Sequence, residues 1–300
     1  QLKEAAMPAV KDDEVLVKVK ASGVNFADIL ARMGIYPDAP KLPAVVGYEV
    51  SGVIEKIGAK ADGFKRGDRV LAITPFGGYS SHVCVHQDQV LSLPQNLTFE
   101  EGAALPVNYL TAWIMLVHLG NVRAGETVLI HAAAGGVGLA ALQICNWKKA
   151  TILGTASLSK HPRLLEMGLS HAIDYRTQDF ETEVKEFTKG RGVDIIIDAV
   201  GGNFLKKDLR VLKPLGRLYC FGASSMATST KRSLVSVAKL LLQMPRISPI
   251  KLMNQNQGIM GVNMGHLWEE RAILKTMTDE IIELAAKGIF KPVTAKEQCF

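Results

Sequence analysis

Cysteine is scarce in this chain and poorly placed for cooperation. Four cysteines are spread over 300 residues, at Cys84, Cys145, Cys220 and Cys299, with no C-x-x-C pair among them. That spacing excludes a disulfide framework and a cysteine-rich zinc lobe. Cys145 and Cys220 lie in apolar runs, where buried free thiols are expected, and free thiols belong to a reducing compartment. Long apolar runs are lacking too. The nearest candidate, SLVSVAKLLLQM at 233–244, is too short to span a membrane and is interrupted by Lys239, so a buried or interface helix is expected there. No signal-peptide pattern opens the sequence, and the expected localisation is cytoplasmic. Nor is there a block of consecutive lysines and arginines. The net charge of +6 (35 basic against 29 acidic residues) is dispersed, and no nucleic-acid partner is expected.

What is present changes rhythm part-way along. The first hundred residues read as strands and turns: EVLVKVKASGV (14–24), VVGYEVSGVIEKIG (45–58), RGDRVLAI (66–73) and GGYSSHVCVHQDQVLSLP (77–94). Val15, Val17 and Val19 alternate with Leu16, Lys18 and Lys20, as in a half-buried strand. A short helix signal near Asn25–Arg32 interrupts what is otherwise a β-rich, partly barrel-like domain. From about residue 106, strand candidates at 127–132, 150–156, 171–175, 193–200, 216–222 and 258–264 alternate with helices such as 137–147, 160–167 and 179–188. Such alternation predicts an α/β fold with a six-stranded, doubly wound parallel sheet. Residues 267–288 form an amphipathic helix with Gly288 as its C-terminal stop, and KPVTAKEQCF (291–300) begins a strand. The expected domains are 1–107 with 266–300, β-rich and incomplete at both ends, and 108–265, the α/β domain.

The chemistry begins at GETVLIHAAAGGVGLAALQIC (125–145), where an apolar strand passes through small residues into a helix. The pattern Ala133-x-Gly135-x-x-Gly138 is a dinucleotide fingerprint with alanine at its first glycine. The backbone of Ala134, Gly135, Gly136 and Val137 would hold a pyrophosphate at the helix N-terminus. NAD-binding sheets usually carry an acid about 20 residues later. This chain has GTASLSK (154–160) instead, without a carboxylate. A carboxylate would repel a 2′-phosphate, whereas Ser157 and Lys160 would bind one; as a plain surface lysine, Lys160 would have no such role. Gly154, Tyr175 (against the adenosine end) and Val200 (closing the fourth strand) complete that side. The expected cofactor is NADPH.

Four stretches carry a wider likeness: ASGVNFADILARMGIYP (21–37), GYEVSGVIEKIG (47–58), GAALPVNYLTAW (102–113) and HAAAGGVGLAALQ (131–143). Together they resemble the medium-chain dehydrogenase/reductase superfamily and, within it, the zeta-crystallin-like quinone oxidoreductases. GTASLSKH (154–161) and GVNMGHLWEE (261–270) look like the vesicle amine transport protein branch. The resemblance implies a Rossmann domain inserted in a GroES-like catalytic domain, with the active site in the cleft between them. Family members usually begin one strand earlier and continue further after the last helix, so the resemblance implies a catalytic domain incomplete at both ends.

Zinc-dependent relatives place ligands where this chain has Asn25, Tyr48 and Val107, none of them a thiolate or imidazole, so no metal is expected. His82, His86 and His131 are expected to be structural. The resemblance sets Asn25, Tyr36 and Thr111 at the reacting end, with Asn25 and Thr111 also at the cofactor, joined by Phe221, Gly222 and Ser224 of FGASS. None of Asn25, Tyr36 and Thr111 titrates near neutrality, so water is the expected proton source. The implied function is a zinc-independent NADPH-dependent reductase of quinones or other α,β-unsaturated carbonyls. An enoyl-thioester reductase is one alternative. The other is a nucleotide-binding protein with a membrane or lipid role and little catalysis, for which 233–253 is the segment to probe for peripheral contact. Relatives pair their sixth strands, so a homodimer through 258–264 is expected.

Overall fold

A computed structural model describes residues 3–34, 36, 39–41, 43–224 and 245–294. The expected helix at 233–244 and Cys299 fall outside these residues. Two units emerge, Gln1–Leu110 with Met264–Phe300, and Thr111–Asn263; the sequence reading set the divides after 107 and 265.

In the first unit, β1 (Glu14–Ser22), β2 (Glu49–Ile57), β3 (Arg69–Ile73), β4 (His82–His86) and β5 (Val90–Ser92) form an antiparallel sheet in the order β4-β1-β2-β3-β5. Val15, Val17, Val50, Ile54, Val70, Ala72, Val83, Val85 and Val90 form its core. Leu16, expected on the polar side of β1, is fully buried. The alternation itself holds, with Val15 and Val17 in the core and Val19 packed against it, so the opposite face is covered at Leu16 as well. Helix α1 (Phe26–Arg32) starts at Asn25. Helix α2 (Phe99–Ala103) is nucleated by a capping box, Glu101 N–H to Thr98 Oγ1 and Thr98 N–H to Glu101 Oε2. Helix α3 (Pro106–Trp113) leads into the second unit, and neither α2 nor α3 was among the helices expected from the sequence.

The second unit carries a six-stranded parallel sheet. Its strands are β6 (Thr127–Ile130), β7 (Thr151–Ala156), β8 (His171–Asp174), β9 (Val193–Asp198), β10 (Leu212–Cys220) and β11 (Gly258–Gly261). The spatial order β11-β10-β9-β6-β7-β8 is that of a Rossmann sheet, with the direction of winding reversing between β6 and β9. Val128, Leu129 and Ile130 of β6 and all of β9 are buried, which is why those sequences are nearly continuously apolar. Each such aliphatic side chain contributes roughly 1.5–3 kcal/mol by leaving water.

The crossover helices are α4 (Gly136–Trp147), α5 (His161–Glu166), α6 (Phe180–Phe187) and α7 (Phe204–Val211), followed by α8 (Pro249–Gln255) before β11. Leu129, Leu153, Ile173, Phe180, Val184, Ile196, Leu205, Leu209 and Leu218 pack into one core cluster. Strand β10 begins and ends earlier than expected, leaving Phe221 and Gly222 in the loop beyond it, and Cys220 is only partly buried. The last helix, α9 (Arg271–Ala286), belongs to the first unit and ends through Gly288 at φ +71°. Residues 291–294, expected to begin a strand, are in none. Among the described residues no helix is long and apolar enough to cross a membrane.

Candidate functional site

The first unit gathers its buried polar groups around the start of β2. Glu49, 1% exposed, accepts the side-chain Nδ2–H of Asn25 on Oε1 at 2.8 Å and the backbone N–H of Val107 on Oε2 at 2.8 Å. The carboxylate occupies space that any side chain at position 23 would need. A Cβ on Gly23 would lie 2.2 Å from Glu49 Oε1 and 2.6 Å from the carbonyl oxygen of Ala103. Burial pushes the Glu49 carboxyl up to about 7, against its two hydrogen bonds.

Asp28, in the first turn of α1, holds the other side of Asn25. Its Oδ2 accepts the Asn25 backbone N–H at 2.9 Å and the Tyr79 hydroxyl at 3.0 Å, and its Oδ1 accepts the Gly47 N–H at 2.9 Å. Gly47 is at φ +110°, and a Cβ there would strike the Tyr79 backbone nitrogen at 2.7 Å, so only glycine fits. Burial raises the Asp28 carboxyl and, with the nearby Asp28 charge, also raises the Tyr79 phenol.

Tyr36 meets Tyr48 edge-on at 6.2 Å between centroids. Tyr48 also packs against Phe76 at 4.9 Å and lies nearly parallel to Trp268 at 6.3 Å. These contacts bear on the fit of a metal through the donor chemistry. Where zinc-dependent relatives supply ligands, Asn25 offers an amide committed to Glu49, Tyr48 an aromatic side chain in a cluster of rings, and Val107 an apolar side chain. The set does not fit zinc. Among the described residues no group of three His, Cys, Asp or Glu side chains is placed to hold a metal. His82 and His86 pair with Glu55 and Asp13 instead. Beside Asn25 the sequence reading left out Glu49, a buried carboxyl that burial pushes upward. Its only sequence signal was an acid opening an apolar strand.

In the second unit, the residues set at the cofactor by sequence, apart from Gly154 within β7 and Thr111 in α3, lie on the loops after β6 to β10, at the carboxyl ends of parallel strands and so on one edge of the sheet. Gly135 caps α4 without a side-chain hydrogen bond, and Gly135 and Gly136 are exposed. The N-terminal amides of α4, among them those of Gly136 and Val137, are the ones a helix cannot satisfy internally. Gly138 packs so closely that a Cβ would lie 2.5 Å from the Ala132 carbonyl oxygen. Ala134 is half-buried beside this turn. Gly154 is buried in β7, where a Cβ would meet Ala133 Cβ at 2.7 Å; its missing side chain lets the loop settle onto the strand.

After β7, Ser157 begins a single 3₁₀ turn through Lys160, whose side chain is in solvent, and no carboxylate lies in that turn. Tyr175 follows β8, half exposed, with the Arg176 guanidinium 5.8 Å from its ring centre; Arg176 is a basic group the sequence reading missed. Val200 donates its N–H to Asp198 at 2.6 Å, and Ser224 donates its backbone N–H to the Ala199 carbonyl at 2.9 Å. That bond draws the loop of Phe221, Gly222 and Ser224 onto the loop of Val200. Thr111 is buried in α3, just ahead of a π-helical turn at Ile114–His118.

Residues 136–280 match the family described as zinc-binding dehydrogenase, and residues 11–95 match the alcohol dehydrogenase GroES-like domain. The chain is 40% identical over 286 residues to the synaptic vesicle membrane protein VAT-1 homolog of Danio rerio, spanning 95% of this chain and 59% of that protein. It is 40% identical over 222 residues to the quinone oxidoreductase of Homo sapiens, 73% of this chain and 68% of the relative. The solved structure of Escherichia coli quinone oxidoreductase complexed with NADPH superposes with a TM-score of 0.84 at 30% identity, over 97% of this chain and 86% of that one.

Proposed function

Because the chain belongs to the medium-chain dehydrogenase/reductase superfamily, among its quinone oxidoreductases and VAT-1 homologues, we propose that it is a zinc-independent, NADPH-dependent reductase of quinones or other α,β-unsaturated carbonyls. The observation that carries this reading is the edge formed by β6 and β7. A helix N-terminus with no side-chain cap stands after the first, and a carboxylate-free turn bearing Lys160 after the second. The E. coli relative, whose structure contains NADPH, supports the same reading.

NADPH, when bound, supplies a hydride to an electron-poor carbon. The chain's own part is to bind and to orient. The amides of Gly136 and Val137 would take the pyrophosphate, the Gly135 N–H being already donated to the Ala132 carbonyl at 2.9 Å, with Ser157 and Lys160 at the 2′-phosphate and Tyr175 at the adenosine end. Asn25 would offer the N–H that Glu49 leaves over to the oxygen on which charge develops, with Tyr36 and Thr111 as neutral donors.

Fluorescence titration with NADPH and NADH, followed by turnover tests on quinones, enones and enoyl thioesters, checks this reading. Tighter binding of NADPH with turnover of a quinone or enone is expected. Binding without any turnover would move the protein to a nucleotide-binding role with little catalysis. No binding of either nucleotide would overturn the reading.

A further inference from the structure

Beneath the loops that follow β6 and β9 lies a set of ionisable side chains that no step above employs. His131, Asp198 and Asp208 are all fully buried. His131, the residue after β6, donates from Nε2 to Oδ1 of Asp208 on α7 at 2.8 Å, and its Nδ1 lies 3.2 Å from Oγ1 of Thr155 on β7. Thr155 Oγ1 accepts the backbone N–H of Ala132 at 3.2 Å, and the Thr155 carbonyl accepts that of Ala133 at 3.0 Å. The rings of Phe180 and Phe204 stand edge-on to the imidazole at 4.6 and 5.1 Å and close it off from water.

Ala132 gives this chain of bonds its purpose. Its φ is +54°, a left-handed conformation that an L side chain keeps only where its surroundings hold it. That turn takes the chain out of β6 and aims the amides at the start of α4. The network is also kept at a cost. Asp208 Oδ2 is buried with no hydrogen-bond partner among the described residues, so its carboxylate depends on the imidazole at its other oxygen. Burial alone would lower the His131 pKa, but Asp208 outweighs it and the net shift is upward. Asp198, which draws its stabilisation partly from His131, uses both oxygens on the second loop, taking Val200 N–H at 2.6 Å and Gly201 N–H at 3.0 Å.

We propose that Thr155, His131 and Asp208 are positioning residues for the dinucleotide, holding the left-handed turn at Ala132 and thereby the phosphate-facing amides of Gly136 and Val137 without touching the ligand themselves. This rests on the nucleotide-binding reading above. Thr155→Val removes the hydroxyl that anchors Ala132 at nearly constant volume, whereas Thr155→Ser keeps it.

The test is NADPH titration of the whole chain, well below the melting temperature of each variant, with steady-state kinetics alongside. Thr155→Val is expected to weaken NADPH about fivefold to tenfold, as the loss of one buried hydrogen bond would. KM for NADPH should rise in step while kcat at saturation is unchanged, and Thr155→Ser should restore the original affinity. Asp208→Asn should weaken NADPH as well; if it does not fold, the Thr155 pair decides alone. A Thr155→Val protein that melts earlier yet binds NADPH like the parent would overturn the inference, and so would equal losses in the valine and serine variants. Failure of the unsubstituted protein to bind any nicotinamide nucleotide is seen before a variant is made. It would overturn the functional reading, and this inference with it.

Discussion

The side-chain amide of Asn25 donates to the buried carboxylate of Glu49 at 2.8 Å, and this bond decides which hydrogen of the amide remains available. One N–H points into the protein, and among the described residues the other has no partner. Asn25→Ala should therefore slow turnover only by the loss of one hydrogen bond, about 0.5–1.5 kcal/mol or roughly threefold to tenfold, with NADPH still binding. Tyr36→Phe should do the same. Steady-state kinetics beside a fluorescence titration measure both. Abolished turnover with intact binding would mean that the proton is delivered by a dedicated acid, and that water is not enough.

Stability should fall as pH rises from about 4 to about 7. Glu49 is raised from 4.5 to about 7 and Asp198 from 3.8 to about 6, both chiefly by burial. The folded state then binds protons more tightly than the unfolded chain. Both carboxyls are neutral in either state below their unfolded pKa values, so the cost appears between those values and the folded ones. For Glu49 it is on the order of 3 kcal/mol once the pH exceeds the folded value. Urea unfolding at pH 5 and pH 8 should show the higher midpoint at pH 5. Glu49→Gln should flatten the difference, even though it misplaces a donor against the Val107 N–H and lowers stability at both values. An unchanged slope in that variant would assign the pH dependence elsewhere.

Cofactor choice should rest on Lys160. A charged hydrogen bond to phosphate is worth roughly 1.5–3 kcal/mol, so Lys160→Ala should weaken NADPH by about tenfold or more. NADH, which has no 2′-phosphate, should bind nearly as before. Parallel titrations of the two nucleotides decide it, and equal affinity for both in the unsubstituted protein would count against the assignment.

Elemental analysis should find no stoichiometric zinc, and a chelator should leave turnover unchanged. The reason is the chemistry at Asn25, Tyr48 and Val107, where amide, phenol and isopropyl groups stand in place of thiolate and imidazole.

Among the described residues no strand covers the outer edge of β11, and an open edge invites pairing. Two copies joined across a two-fold axis at Gly258–Gly261 would satisfy it, and light scattering at micromolar concentration should report a dimer. A monomer under those conditions would oppose this assembly.

What could be read from the sequence was what depends on neighbours in the chain. Apolar strands, the small residues of the glycine loop and the stop at Gly288 are local signals, and each fell within a few residues of its place. Asn25 and Glu49 meet across 24 residues, and His131 and Asp208 across 77. Nothing in the intervening sequence announces either pair, because the first depends on where β2 begins and the second on α7 packing over β9. The alternation in β1 misled for a related reason. The face that carries Leu16 is covered as well as the core face, and one strand read alone cannot show that.

The crowding at Gly23 sets an order in which this site can change over generations. Loss of the Glu49 carboxylate would remove one obstacle to a side chain at position 23, but the Ala103 carbonyl oxygen would still stand 2.6 Å from the new Cβ. Position 49 can therefore drift while 23 stays glycine, whereas 23 is barred until the backbone at Ala103 moves as well. Lineages that abandon the buried acid should retain the glycine as a vestige, and those that replace the glycine should show a reshaped end of α2.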